Sequence, residues 1–274
     1  FYTDYGINIQ KLFFAHFLKD ENNGWDKRPR VQLQVRHPGE KFVERFEQDW
    51  PLPSTNWTKY YLNYENMTLD ETVPSNLQTI SYDPMGDGVT LTTRPLQHEM
   101  EVTGPMAAKL YVSSESVDAD LFLVVRAFYP DLKEVVFKGA LDPHTPIAQG
   151  WLRASHRKLD DSLTRPDRPY HTHDEKQPLN PGEIYELDIE IWPSCISLPK
   201  GFRIALSVRG RDYVYPGGAD GGLSNMKNKF TGVGPFLHDD PRDRPLDIFG
   251  KTVTLHNTEH YKSYVLLPVI PKKK

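Results

Sequence analysis

From residue 181 to residue 212, apolar and charged side chains change places at every step. Tyr185, Leu187, Ile189 and Ile191 alternate with Glu186, Asp188 and Glu190. Beyond a bridge holding Pro193, Pro199 and Gly201, Phe202, Ile204, Leu206 and Val208 alternate with Arg203, Ala205, Ser207 and Arg209. A period of two sends one set to each face of a strand. Antiparallel strands with one wet face write this pattern, whereas parallel strands buried on both faces read as unbroken apolar runs. Further strands are predicted at 31–36, 42–46, 59–62, 77–81, 89–92, 98–102, 106–113, 133–138, 151–156, 252–256 and 264–270. Residues 120–129 carry Leu121, Leu123 and Val125 on one face and Phe122, Val124 and Phe128 on the other, which predicts a central strand covered on both sides. Uneven spacing and the long excursions at 160–181 and 211–250 favour a jelly-roll β-sandwich over a meander.

The opening segment follows a different period. Over residues 4–19, Ile9, Leu12, Phe13 and Phe17 recur at spacings of three and four, the stripe of an amphipathic helix. Asp20, Asn22, Asn23 and Gly24 stop it. So aromatic a stripe calls for a partner surface, either the sandwich or a segment upstream of Phe1, and left bare it predicts self-association. Trp50-Pro51-Leu52-Pro53 reads as an extended linker, which places a domain boundary near Pro53.

Composition narrows the function classes. The 274 residues hold 38% apolar and 26% charged side chains, with 23 Pro and 18 Gly, the balance of a many-stranded soluble domain. A net charge of -4 gives no reason to expect nucleic acid or an anionic membrane as partner, and Lys272, Lys273 and Lys274 read as a solvated tail. The single Cys195 excludes an internal disulfide and fits a reducing, cytoplasmic setting as a small buried thiol. No apolar run approaches the roughly 20 residues of a membrane span. The chain opens on Phe1, as a piece of a longer protein would.

Candidate chemistry is sparse. Gly222-Leu223-Ser224-Asn225-Met226 approaches a nucleophile elbow but lacks the second glycine and the strand-turn-helix around it. His171, His173 and Asp174 have the spacing and donor types of a metal site, yet Arg165, Arg168 and Lys176 beside them oppose a cation, and a hydrogen-bonded loop is expected. The pairs Asp160/Asp161 and Asp239/Asp240 could serve as acid–base partners or calcium ligands, and solvated turns are the simpler reading. The glycine-rich run from Gly217 to Gly222 has no following helix or lysine to cradle phosphate. Trp151, Trp192, Tyr213 and Tyr215 are candidates for stacking on a sugar face, with Trp151 and Trp192 beside strands and expected in the core. Tyr213 and Tyr215, beside Arg211 and Asp212, are the pair placed to stack on a sugar, which keeps a carbohydrate-binding module open.

Three runs carry a family resemblance: 118–128 from Asp118 to Phe128, 150–160 from Gly150 through Trp151 and His156 to Asp160, and 181–203 from Pro181 through Trp192 to Arg203. In order and spacing, over roughly residues 55–270, the chain resembles the C-terminal non-catalytic domain of X-Pro dipeptidyl-peptidases and cocaine-esterase-like (CocE/NonD) serine hydrolases. The resemblance implies a galactose-binding-like jelly roll over residues 54–274. Residues 1–53 are similar to the last helix and strands of the family's α/β-hydrolase domain, plus a linker. It implies a parent enzyme that cleaves amide or ester bonds with a Ser–His–Asp triad lying upstream of the matching region. No catalytic, cofactor-binding or metal residue carries over to this chain. The partner implied is the α/β-hydrolase domain, on which the jelly roll packs, walling the cleft and contributing to homo-oligomer contacts.

Overall fold

The computed structural model describes residues 2–139, 142–217, 232–234 and 237–272. Among them are β1 (Val31–His37), β2 (Lys41–Glu47), β3 (Asn56–Asn63), β4 (Thr68–Asp70), β5 (Gln78–Tyr82), β6 (Val89–Thr92) and β7 (Met100–Ser114). β8 (Asp120–Phe128), β9 (Glu134–Val135), β10 (Ala148–Arg153), β11 (Tyr185–Leu198), β12 (Arg203–Arg209), β13 (Val253–Asn257) and β14 (Tyr264–Ile270) follow. Two α-helices, α1 (Asp4–Lys19) and α2 (Leu246–Phe249), and two short 3-10 helices, Trp25–Lys27 and Ala154–His156, complete the set. The strands join in one mixed sheet, ordered β10-β8-β12-β6-β4-β3-β14-β7-β11-β1-β2, with β13 bridging β5 to β7 and β9 beside β8. All pairings are antiparallel except β1 with β11 and β4 with β6.

The sheet curls so that its two limbs share one core. Leu110, Leu187, Ile189 and Ile191 from β7 and β11 belong to the same buried cluster as Leu121, Leu123, Leu206 and Val208 from β8 and β12. Each such side chain, fully buried, stabilises the fold by about 1.5–3 kcal/mol. The alternation in β11 is therefore the chemistry of this core, since Leu187, Ile189 and Ile191 turn in while Glu186, Asp188 and Glu190 stay at the surface. β8 is buried on both faces, as its doubled apolar pattern predicts.

Three local readings change. β12 has no wet face: Ala205, Ser207 and Arg209 are buried as fully as Ile204, Leu206 and Val208. Its polar members are satisfied sideways, with Ser207 Oγ 2.7 Å from the Thr90 hydroxyl and Arg209 paired to Asp87. β11 continues through the expected bridge to Leu198, because a bulge between Ile191 and Ser194 absorbs Trp192 and Pro193 without breaking the pairing with β7. The strands expected at 98–102 and 106–113 fuse into β7, while 133–138 contracts to β9.

α1 forms as its stripe predicts. Thr3 Oγ1 accepts from Gly6 N–H at 3.1 Å as N-cap, and Asp20 closes the end in a left-handed conformation. The stripe meets Trp25, at 5.3 Å from Phe13 and 6.4 Å from Phe17. No residue of α1 is buried, and Phe13, Phe14, Phe17 and Leu18 are exposed. The β1–β2 hairpin lies at the end of the strand order, and its Arg45 pairs with Glu101 of β7 at 2.8 Å. Its register with β11 is the single parallel step Arg36↔Ile196, reinforced by the Arg36 guanidinium on Ser194 Oγ at 3.0 Å. No helix among the described residues is long and apolar enough to cross a membrane.

Candidate functional site

Curling brings β10, at one end of the strand order, against β11 near the other. The approach is so close that a Cβ on Gly150 would lie 2.2 Å from the Glu190 carbonyl oxygen and 3.0 Å from Ile191 Cα. Glycine is required there by space. Immediately past this crossing, Trp151 on β10 and Trp192 on β11 meet edge to face, with ring centroids 5.0 Å apart and planes at 71°. They line a groove of about 390 Å³ together with Phe122, Arg153, His156 and His238, among others. Both tryptophans were expected in the core. Trp192 continues the outward set Glu186, Asp188 and Glu190 and is 50% exposed, and Trp151 is half-buried on the outward set of β10 with Gln149 and Arg153.

One wall is a histidine–aspartate pair. Nδ1 of His238 donates to Asp212 Oδ1 at 3.0 Å, its backbone N–H donates to Oδ2 at 2.6 Å, and the Trp151 indole donates to Oδ1 at 3.3 Å. The hydrogen bond to Asp212 raises the His238 pKa above the ordinary imidazole value of 6.5, against the opposing effect of burial. A raised pKa means that this stabilisation is full below about 6.5 and is lost as pH rises through the higher folded-state value. His238→Gln is therefore expected to destabilise the chain more at pH 5.5 than at pH 9, read as urea midpoints across that range. Equal losses at both ends would exclude the ion pair as the cause.

The floor is a charge network that joins four elements. Arg153 grips Asp120 through Nε at 2.8 Å and Nη2 at 3.0 Å, and reaches Asp243 at 3.0 and 2.9 Å. Arg244, with only 4% of its side chain exposed, donates to Asp120 at 2.9 Å, to the Gly210 carbonyl at 2.6 Å and to the His238 carbonyl at 3.0 Å. Hydrogen bonding to Arg153 lowers the pKa of Asp243, and hydrogen bonding to Asp120 raises that of Arg153.

At the far end the excursion after β10 folds back and delivers imidazoles. His156 and His173 face each other with Nδ1 atoms 3.2 Å apart, and the rings of His171 and His173 lie 5.9 Å apart. Burial first, and His173 second, lower the pKa of His171, whose Nε2 is enclosed without a hydrogen-bond partner. The third candidate ligand, Asp174, is not in this cluster's hydrogen bonding; Lys158 at 3.0 Å and Thr172 hold its carboxylate. His156, which sequence spacing did not single out, takes its place. Among the described residues no group of three or more donors has metal-binding geometry.

Other candidates disperse. Tyr213 is 1% exposed, between the guanidinium groups of Arg126 and Arg209, and burial pushes its pKa well up. It is core, not a stacking platform, and Tyr215 stacks on His144 at 4.3 Å. Asp240 and Asp160 cap turns, through Arg242 and Ser162 respectively. Cys195 is half-buried, and burial raises its pKa although Arg45 and Arg36 stand near enough to oppose this. Ser224 and Gly218–Gly222 lie outside the described residues. One serine does meet an imidazole: Ser113 Oγ is 2.8 Å from His256 Nε2, between β7 and β13. Ser113 is buried, and desolvation alone lowers the His256 pKa, with no carboxylate acting on it. This is a cross-strand hydrogen bond lacking the third member of a triad.

The fold agrees with what the chain is similar to. The sequence pattern of the X-Pro dipeptidyl-peptidase C-terminal non-catalytic domain matches residues 23–266. Cocaine esterase from Rhodococcus sp. (strain MB1 Bresler) is 26% identical over 243 residues, 75% of this chain and 38% of that protein. A crystal structure of a CocE/NonD family hydrolase from Staphylococcus aureus superposes with a TM-score of 0.82 at 28% identity, covering 98% of this chain and 46% of that one. An aminopeptidase from a Thaumarchaeota archaeon, at 16% identity and TM-score 0.62, shares the fold. The chain thus spans less than half the length of these proteins.

Proposed function

The chain belongs to the X-Pro dipeptidyl-peptidase C-terminal non-catalytic domain family, and from that membership we propose that it is the C-terminal part of a CocE/NonD-type serine hydrolase of acyl bonds. The observation that carries the proposal is coverage: nearly all of this chain superposes on less than half of the staphylococcal hydrolase. In this reading the remainder holds the triad, and the 274 residues are inactive alone. Residues 54–274 form a galactose-binding-like jelly roll, and residues 1–53 are the closing helix and strands of the hydrolase domain with a linker. Two features support that division. α1 presents Phe13, Phe14 and Phe17 to solvent, and the β1–β2 hairpin is joined to β11 at one register step. The α/β-hydrolase domain is the partner that covers the α1 face, and the jelly roll walls its cleft and contributes to oligomer contacts. Incubating the chain alone with p-nitrophenyl esters and a proline p-nitroanilide dipeptide should give no turnover; an esterase-like rate would refute the reading.

The uncovered face yields a second check. Phe13→Asp with Phe17→Asp is expected to shift the chain from self-associated species toward monomer in light scattering after gel filtration. An unchanged distribution would mean that α1 is not the sticky surface.

A further inference from the structure

We propose that the groove between Trp151 and Trp192 binds a neutral saccharide. The proposal is independent of how the chain is attached to a hydrolase, and moves the sugar-stacking role from Tyr213 and Tyr215 to Trp151 and Trp192, the candidates expected in the core. Charges in and behind the groove cancel in pairs: Arg153 and Arg244 against Asp120 and Asp243, and His238 against Asp212. Even Glu190 has Arg168 at 4.0 Å. No uncompensated cation remains to hold a phosphate or carboxylate ligand, and no unshared cluster of carboxylates remains to hold an amine. What the groove offers is apolar planes and neutral hydrogen-bonding groups side by side. The Trp151 ring is locked by its indole bond to Asp212, and half-exposed Trp192 stands at 71° to it. The C–H faces of a pyranose pack on such rings. Its hydroxyls, each both donor and acceptor, suit the imidazoles of His156 and His173, which line the groove. Because ion pairs fix the floor in advance, little ordering is left to be done on binding.

The test uses the 274-residue chain and a panel of neutral gluco-, galacto-, manno- and xylo-oligosaccharides, on an array and then by calorimetry. At least one should bind saturably with a change in tryptophan emission. Trp192→Ala should weaken it tenfold or more, while Trp57→Ala, an exposed tryptophan on β3 outside the groove, should leave it unchanged. Circular dichroism establishes that each variant is folded, and Glu190→Gln, at the surface of β11, gives a second and milder change if Trp192→Ala is not. No binding by any member at millimolar concentration overturns the proposal. So does binding that Trp192→Ala leaves intact, or binding only of a charged amine such as choline. None of these outcomes touches the hydrolase reading, which the turnover assay decides.

Discussion

Asp120→Ala is expected to cost about 3–5 kcal/mol of unfolding free energy, the range for breaking a buried ion pair from one side. The carboxylate begins β8 and is shared by Arg153 and Arg244, residues that arrive from β10 and from the segment leading into α2. Removing it strands Arg244, which keeps its bonds to the Gly210 and His238 carbonyls but has almost no access to water. A charge left there has no comparable acceptor. Arg153 fares better, since Asp243 still holds it at the surface. The loss should therefore exceed that of Asp243→Ala severalfold. Urea denaturation at pH 7 measures both, and similar small losses would mean that Arg244 finds solvent when its partner is gone.

Gly150→Ala should destabilise by about 2–3 kcal/mol, through overpacking in a place with no room to yield. Backbone atoms of Glu190 and Ile191, not flexible side-chain ends, face the added methyl. One strand must move, and β10 is the end of the strand order, so β10 gives way. The change should also widen the groove and alter the emission of Trp151 and Trp192, which sit beside the crossing. Loss of stability without a spectral change would place the strain elsewhere. The two substitutions test the same seam, one through charge and one through space.

Much of the fold can be read along the chain because it depends on local alternation. β6, β14 and α1 fall at their predicted limits, β8 differs from its own by a residue at one end and β13 by a residue at each, and β11 runs on to Leu198. The inward set of β11 follows its pattern residue for residue as far as Ile191. Beyond that point the reading fails, because a bulge changes phase without changing composition. Trp192 itself keeps the outward phase of Glu190 and lies at the surface; its size, not its place in the alternation, marked it as core. β12 fails for another reason: Ser207 and Arg209 are polar, and only partners more than a hundred residues away, Thr90 and Asp87, show that they are covered.

The groove was the least legible part. Its walls come from residues as distant as Asp120 and Asp243, 123 positions apart. His238 sits in an irregular stretch with no periodicity to mark it, and its role depends on Asp212 across a loop. The signal that was present lay in the run from Gly150 to His156. It carried the family resemblance, and it supplies the crossing glycine, one tryptophan, Arg153 and an imidazole. Tyr213 misled because its neighbours Arg211 and Asp212 are charged, although the strand before it carries it inward.

The account turns on whether a reactive serine exists within these residues. Treating the chain with a fluorophosphonate probe, beside a serine esterase of the CocE/NonD type, measures this directly. The account predicts stoichiometric labelling of the esterase and none of the chain, Ser113 included. Labelling of the chain at one site, abolished by His256→Ala or by replacing whichever serine is modified, would contradict it.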